Sequence, residues 1–455
     1  MNMTERCTIL SPTAILGYGF PEESFIRGLA MNPDVIAVDG GSTDPGPYYL
    51  GAGKAFTNRE GVKRDLKFMI AAGIERKIPV IVGTAGGSGA KAHVDWALDI
   101  VKELAGELNL SFSVGVIYAD IPKELVEKKF KDKKIEALAG VPELTIETIE
   151  VSTNIVAQMG YEPMIDALDM GCDVVLAGRA YDPACFAAVP IRMGFDPGLA
   201  MHAGKILECA AIASSPGSGS DSVIGIIEDD HFSLMTLSEE RRFTKESTCA
   251  HTLYEKSDPY HLPGPGGMIN LEQVVFTEYP ETVEVSGSKF IPSDPYTVKL
   301  EAATCVGYRT ISIAATHDPI MIGQIDTIIE EVKKRVEKLI PDIFDKVKIH
   351  IHEYGKNGVM GPWEPNPTAQ GHELVLLIDV LGQNQKTADS VCSLLRSSLL
   401  HFGYEGRIST AGNLAFPFSP SDISVGEVYE FSLYHIMELD QSEITSLFPV
   451  TEVQI

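Results

Sequence analysis

Residues 34–39 read DVIAVD, and this stretch decides the fold class. Four consecutive apolar residues lie between its two aspartates, which is typical of a strand buried on both faces of a parallel sheet. Comparable apolar runs recur at residues 7–10, 79–82, 111–118 and 173–177. Amphipathic stretches separate them, at residues 60–77, 92–108 and 162–170. Repeated β–α units of this kind predict a Rossmann-like α/β domain with a parallel sheet wrapped by helices.

The pattern changes after about residue 280. Strands are predicted at residues 296–304, 310–316, 346–353, 373–380 and 426–436, and helices at 319–340 and 387–402. This ββαββαβ order predicts an α+β domain with a mixed or antiparallel sheet. A chain of 455 residues is too long for one core. We therefore predict an α/β catalytic domain over residues 1–280 and an α+β domain over residues 281–455.

Composition excludes several classes of function. A net charge of −26 disfavours nucleic acids and anionic membranes as partners. The seven cysteines include no C-x-x-C pair, which argues against disulfides and structural zinc. Residues 1–10 lack the features of a signal peptide, and the apolar segment 199–214 carries Lys205 and Glu208, so it is predicted to be a core helix. We expect a cytoplasmic protein.

The first candidate site segment is DGGSTDPGPYY, residues 39–49. It follows the strand of residues 34–39 directly, at the sheet edge where open α/β proteins bind ligands. Its polar side chains are candidates for ligand contacts: Asp39, Ser42, Thr43, Asp44 and Tyr48. The alternative is a tight turn in which these side chains only satisfy local amides.

The second candidate is GTAGGSG, residues 83–89. Backbone amides in such a turn before a helix can cradle an anion, which makes Thr84, Gly86, Gly87 and Ser88 candidate binding residues. The spacing matches neither a P-loop nor a dinucleotide fingerprint. A generic strand-to-helix turn is the alternative.

The third candidate is AGRAYDP, residues 177–183, after another strand. Arg179 could form a bidentate contact with a carboxylate or phosphate of a ligand. Asp182 could bind the ligand or cap a helix. Equally, Arg179 could pair with Asp182 or Asp39 in a purely structural role.

The fourth candidate runs from Lys245 to the PGPGG loop at residues 263–267. His251 and Tyr254 are three residues apart and share a helix face, so they could relay a proton. Lys245 and His261 add polar groups to a loop long enough to act as a lid. A half-buried histidine with satisfied hydrogen bonds is the alternative for His251.

Metal binding has less support. His350, His352 and Glu353 lie close together on a predicted strand, but the sequence offers them no further ligand. We predict no metal site. We expect instead that Asp39, Ser88, Arg179 and His251 converge at one edge of the sheet.

Together these loops resemble a known family. DGGSTDPGPYYLG (39–51), GTAGGSG, LAGRAYDPA (176–184) and HTLYEKSDPYHLPGPGG (251–267) are similar to the acyclic terpene utilisation AtuA family. The resemblance implies a catabolic lyase or hydratase acting on a small carboxylate or acyl-CoA thioester, with a possible small companion subunit. It implies no cofactor apart from CoA as part of the substrate. A homo-oligomer is expected.

Such chemistry needs a base, an acid and donors for the developing enolate oxygen. The candidates are His251 or Asp39 as base, Tyr254 or His261 as acid, and Arg179 with the amides of residues 83–89 as anion holders.

Two alternatives remain open. DGGST superficially matches the first phosphate loop of actin-like and sugar-kinase ATPases, although the proline and glycine that follow do not fit its hairpin. The other is a non-catalytic subunit of a lyase complex.

Overall fold

The computed structural model describes residues 6–368 and 371–455. It divides into two compact units, the first comprising Met1–Thr304 with Phe431–Ile455 and the second Cys305–Glu430. Residues 1–5, on which the signal-peptide prediction also rests, lie outside the described part. The predicted division at residue 280 differs from this one, because strands on both sides of residue 280 join one sheet in the first unit.

The strands are β1 (Cys7–Ser11), β2 (Val35–Asp39), β3 (Val80–Gly83), β4 (Ser113–Ile117), β5 (Ile135–Ala137), β6 (Thr153–Ala157), β7 (Val174–Ala177), β8 (Val223–Ile227), β9 (His231–Thr236), β10 (His261–Gly264), β11 (Gly267–Asn270), β12 (Val275–Glu278), β13 (Val283–Ser286), β14 (Lys289–Pro292), β15 (Tyr296–Thr316), β16 (Lys348–Tyr354), β17 (Leu374–Gly382), β18 (Asp422–Leu439) and β19 (Val450–Gln454). The helices are α1 (Glu22–Ala30), α2 (Pro47–Ala52), α3 (Arg59–Arg76), α4 (Lys91–Leu108), α5 (Lys123–Lys131), α6 (Ile146–Val151), α7 (Glu162–Asp169), α8 (Ala184–Met193), α9 (Pro197–Leu207), α10 (Lys245–Thr252), α11 (Pro319–Gly323), α12 (Ile325–Leu339), α13 (Pro341–Phe344), α14 (Gln385–Leu400) and α15 (Gln441–Ser446).

The first unit is built on a ten-stranded sheet in the order β12-β13-β9-β8-β1-β2-β3-β7-β4-β19. The central strands β1, β2, β3, β7 and β4 are parallel, as the sequence predicts. Antiparallel strands extend the sheet on both sides. The predicted α/β class is confirmed, and the sequence missed the antiparallel strands because they lie outside the regular β–α alternation.

Successive residues of β2 enter two different cores. Val35 and Ala37 pack in the core that contains α8 and α9, whereas Ile36 and Val38 pack in the core that contains α3 and α4. All four side chains are inaccessible to solvent. Because both faces of the strand are covered, an uninterrupted apolar run is required there. Both faces of the sheet are therefore packed where the loop after β2 leaves it.

The second unit contains an antiparallel sheet covered by helices. In it β17 pairs with β16 and with the 308–316 part of β15. The apolar faces of α12 and α14 form its core with these strands. This confirms an α+β arrangement, but the strands predicted at 296–304 and 310–316 are one continuous strand. At Gly307 this strand passes close to β17, where a Cβ would lie 2.6 Å from the Gly382 carbonyl oxygen.

Among the helices in the described residues, none combines the length and apolar character needed to cross a membrane.

Candidate functional site

The loops after β2, β3 and β7 interlock at the carboxyl edge of the parallel strands. The Gly40 amide donates to the Gly83 carbonyl oxygen at 2.8 Å, and the Ala85 amide donates to the Ala177 carbonyl oxygen at 2.8 Å. The Arg179 amide donates to the Gly89 carbonyl oxygen at 2.9 Å. Three of the four predicted segments therefore meet where the sequence places them.

The turn after β3 is buried by this packing. Thr84, Gly86, Gly87 and Ser88 are all buried. Gly89 has φ +67°, and a Cβ on it would lie 2.2 Å from the Arg179 backbone nitrogen. The close approach that glycine permits here is to protein backbone, and the anion-cradle role of this turn stays a prediction.

Arg179 is 2 % exposed and is fully engaged with protein groups. Its Nε donates to Glu301 Oε2 at 2.6 Å, and its Nη1 donates to Asp182 Oδ1 at 2.9 Å and to the Ala180 carbonyl oxygen at 2.7 Å. Glu301, on β15, also accepts from Lys299 Nζ at 2.7 Å. The structural pairing with Asp182 that the sequence left open is thus present. Glu301 binds the other side of the guanidinium group, through Nε and Nη2 of Arg179.

The first segment splits into a buried and an exposed half. Thr43 Oγ1 lies 3.3 Å from Glu301 Oε1 and 3.0 Å from the Tyr434 hydroxyl, which ties the loop to the Arg179 ion pair. Ser42 Oγ donates to Asp44 Oδ2 at 2.7 Å in a local turn. Local hydrogen bonding therefore explains Ser42, whereas Thr43 supports the ion pair.

A cleft of about 780 Å³ opens beside these loops. Its charged lining residues are Asp44, Arg179, Asp182, Lys205, Glu208, Glu255, Lys256, Asp258 and Lys299. His261 and Tyr181 also line it, with the PGPGG loop along one side. This volume suits a small organic ligand, for which typical sites measure roughly 300–1,000 Å³. Of the predicted site residues, Asp44, Arg179, Asp182 and His261 line the cleft.

Buried carboxyl groups cluster next to the cleft. Burial raises the pKa of Asp39 well above its ordinary value, and the carboxylates of Asp182 and Glu208 raise it further. Burial raises the pKa of Glu208 to about 7, with a contribution from Asp182, although the Lys205 ammonium opposes the rise. Burial alone would raise the pKa of Glu301, but Arg179 and Lys299 hold it at about 2. Neighbouring carboxyl groups thus differ widely in proton affinity.

Lys256 differs from the other cations of the cleft. Arg179, Lys205 and Lys299 each pair with a carboxylate, whereas within the described chain Lys256 has no ion-pair partner. Its Nζ lies 3.5 Å from the Tyr181 hydroxyl and 5.3 Å from the centre of that ring. Burial and the nearby Lys205 lower the pKa of Lys256, and Glu208 partly offsets this.

The fourth segment reaches the same region through α10. The His251 ring stacks on the Tyr254 ring, with centroids 5.4 Å apart, and Lys205 Nζ lies 5.4 Å from the Tyr254 centroid. Burial and Lys205 lower the pKa of His251 to about 4, so its imidazole is neutral at neutral pH. Tyr254 is half exposed, and its hydrogen bond to Glu255 raises its pKa to about 12.

Two further predicted site residues lie outside the lining of the cleft. Lys245 is exposed at the first turn of α10, and Tyr48 lies on α2 against Tyr49.

The sequence did not identify five charged residues of this region as functional: Lys205, Glu208, Lys256, Lys299 and Glu301. One signal was present, since Lys205 and Glu208 interrupt the apolar segment of residues 199–214, in which Lys205 lies on α9 and Glu208 directly follows it. A buried lysine and glutamate three residues apart are expected to pair. Lys299 and Glu301 lie two residues apart on a strand and therefore share a face, which is a weak signal.

The fold and the cleft define an α/β protein with a charged, ligand-sized cleft at the carboxyl edge of a parallel sheet, as in many small-molecule enzymes and binding proteins. The chain belongs to the family described as acyclic terpene utilisation family protein AtuA, whose model matches residues 57–410. Three of the four resembling motifs lie inside this match, and the loop of residues 39–51 precedes it. Neither the curated proteins nor the solved structures gave a match.

Proposed function

We propose that this protein is a catabolic enzyme that binds an anionic acyl substrate, a small carboxylate or an acyl-CoA thioester, in the cleft of the first unit. It acts on this substrate by general acid/base chemistry of the lyase or hydratase type. The family description supports a role in the utilisation of acyclic terpenes.

Lys256 is the observation that carries the proposal. The other cations of the cleft are neutralised by Glu208 or Glu301, so they contribute shape and position more than net charge. Within the described residues, Lys256 alone among these four cations has no carboxylate partner, and it lies in the cleft wall beside the Tyr181 hydroxyl. An anionic substrate group would supply the missing partner at little cost in reorganisation.

Proton transfer is the alternative role that we assign to Lys256, since an anion bound at its ammonium would hold it in the protonated form. A lysine whose pKa is lowered by burial and by a neighbouring ammonium holds a larger fraction of free amine near neutral pH. The free amine could remove a proton beside a carbonyl group, and His261, in the same cleft, is the candidate acid. Asp39 and His251 are buried and are not among the residues that line the cleft, so we assign them supporting roles.

The nucleotide-dependent alternative has weaker support. The phosphate loop of actin-like ATPases needs an antiparallel hairpin after the aspartate. Here β2 pairs in parallel with β1 and β3, and the chain continues into helix α2.

Ligand binding tests the proposal directly. Thermal shifts would be measured for the wild-type chain with CoA, a branched acyl-CoA, a small dicarboxylate and MgATP, since a bound ligand stabilises by mass action. We expect stabilisation by the acyl-CoA or the carboxylate. The Lys256→Gln variant should lose it, and Lys67→Gln, an exposed lysine on α3, should retain it.

Stabilisation by MgATP alone would contradict the proposal, as would full acyl-CoA binding by Lys256→Gln. Turnover is then measured with and without the small companion protein. Activity that appears only with the companion, and survives loss of Lys256, would favour the non-catalytic alternative.

A further inference from the structure

Three side chains with metal-binding atoms meet at the packed ends of α9 and α10. Glu208 and Cys209 directly follow α9, and His251 lies in the last turn of α10. The two helices are joined where His202 Nε2 lies 3.0 Å from Thr252 Oγ1. One carboxylate oxygen, one sulfur and one imidazole nitrogen from these residues all lie within 4.8 Å of one another.

Two of these three residues contain a buried polar atom that lacks a hydrogen-bond partner within the described part of the chain. In the described residues, neither Glu208 Oε2 nor His251 Nε2 has a hydrogen-bond partner, although both atoms are buried. The residues themselves are only 5 % and 8 % exposed. Leaving a buried polar atom unpaired is costly, so native proteins seldom do it.

The surrounding charges favour a cation at this point. Lys205 Nζ donates to Glu208 Oε1, and the other oxygen, Oε2, accepts no hydrogen bond from the described residues. The carboxyls of Asp39 and Asp182 act electrostatically on Glu208, and within the described chain Asp39 Oδ1 is another buried atom without a partner. The Lys205 ammonium opposes a second cation, but a carboxylate can bridge an ammonium and a metal through its two oxygens.

We propose that Glu208, Cys209 and His251 bind one divalent metal ion of the zinc class. Carboxylate, thiolate and imidazole are the ligands that Zn²⁺ and Co²⁺ accept, and three protein ligands leave a position open for water or substrate, as in catalytic rather than structural sites. Glu208 also lines the cleft, so a ligand in the cleft could reach the ion. The inference goes beyond the proposed function and does not depend on it.

The test uses metal binding, so no substrate is needed. The full-length chain is stripped with a chelator and titrated with Co²⁺, whose thiolate charge-transfer absorption reports a cysteine ligand. We expect about one ion per chain, that absorption band, and a higher Tm with metal. Cys209→Ser should lose the band. His251→Gln and Cys209→Ser should each bind Co²⁺ at least about 100-fold more weakly, because loss of even an outer-sphere partner costs roughly 10–100-fold.

Cys249→Ser is the matched control, since Cys249 lies on the same helix as His251 but outside the cluster. It should keep the band and the affinity. Wild-type protein that binds no Co²⁺ would overturn the proposal, and so would a band that persists in Cys209→Ser or disappears in Cys249→Ser. If Cys209→Ser does not fold, His251→Gln and Glu208→Gln decide the question, and undiminished affinity in both would overturn it.

Discussion

Arg179 and Glu301 form a buried ion pair across 122 residues of sequence, with Nε and Oε2 2.6 Å apart. Arg179 follows β7, and Glu301 lies on β15. The pair joins the strand-end loops to β15, because Arg179 also contacts Asp182 and Glu301 also accepts from Lys299 and Thr43. The position of this edge of the cleft therefore depends on one glutamate that is fully buried.

Replacing that glutamate should destabilise the protein strongly. Glu301→Gln removes the carboxylate that pairs with both Arg179 and Lys299, and it leaves Asp182 as the remaining carboxylate beside the buried guanidinium. Breaking a buried ion pair by removing one partner typically costs about 3–5 kcal/mol. Urea denaturation followed by circular dichroism measures the free energy of unfolding. Glu107→Gln is the control: its partner Lys63 is 2.7 Å away, but Glu107 is 46 % exposed, so a loss below about 1 kcal/mol is expected. Equal losses in the two variants would contradict this account.

The same residue predicts a dependence of stability on pH. The pKa of Glu301 is about 2 in the folded protein, against an ordinary value of 4.5. A lowered pKa stabilises the folded state above the unfolded-state pKa, and this stabilisation is lost as the pH falls towards the folded-state pKa. The difference in unfolding free energy between wild type and Glu301→Gln should therefore be constant above about pH 5 and shrink below it. A difference that does not change between about pH 6 and pH 3 would refute the assigned pKa.

Lys256 should react faster with amine reagents than other lysines. Its lowered pKa gives it more free amine at a given pH, and free amine is the nucleophile. Competitive labelling with acetic anhydride near pH 8, read out by mass spectrometry, should acetylate Lys256 ahead of the exposed Lys67 and Lys102. Labelling in urea should abolish the difference. If Lys256 reacts more slowly than Lys67 at every pH, its free amine is not available for the proton transfer that we propose.

Glycine at position 89 should be required for the interlocked loops. A Cβ there would overlap the Arg179 backbone, and φ +67° is unfavourable for other residues. Gly89→Ala should cost about 3 kcal/mol or more, in the range of severe backbone and packing conflicts. Gly106→Ala, in helix α4 with open space around it, should stabilise by about 0.5–1 kcal/mol. Tm measurements on both variants would show opposite signs, and a harmless Gly89→Ala would argue against the packing described.

The parallel sheet, its helices and the loops that carry Asp39, Thr84 and Arg179 could be predicted from the sequence. These features are local, because an apolar run followed by a glycine-rich turn predicts a buried strand and the turn that ends it, independently of the residues that follow. The order of β–α units then brings the strand ends to one edge.

Which charged side chains meet depends on the tertiary structure. The sequence around Glu301 points to Lys299 as a partner but does not indicate Arg179. Glu208, Cys209 and His251 become neighbours only when α10 packs on α9. Burial and electrostatic interaction depend on distance through space, and folding sets that distance between residues far apart in the chain. The loops of the site could therefore be predicted, whereas its charge pairing and the state of Lys256 could not.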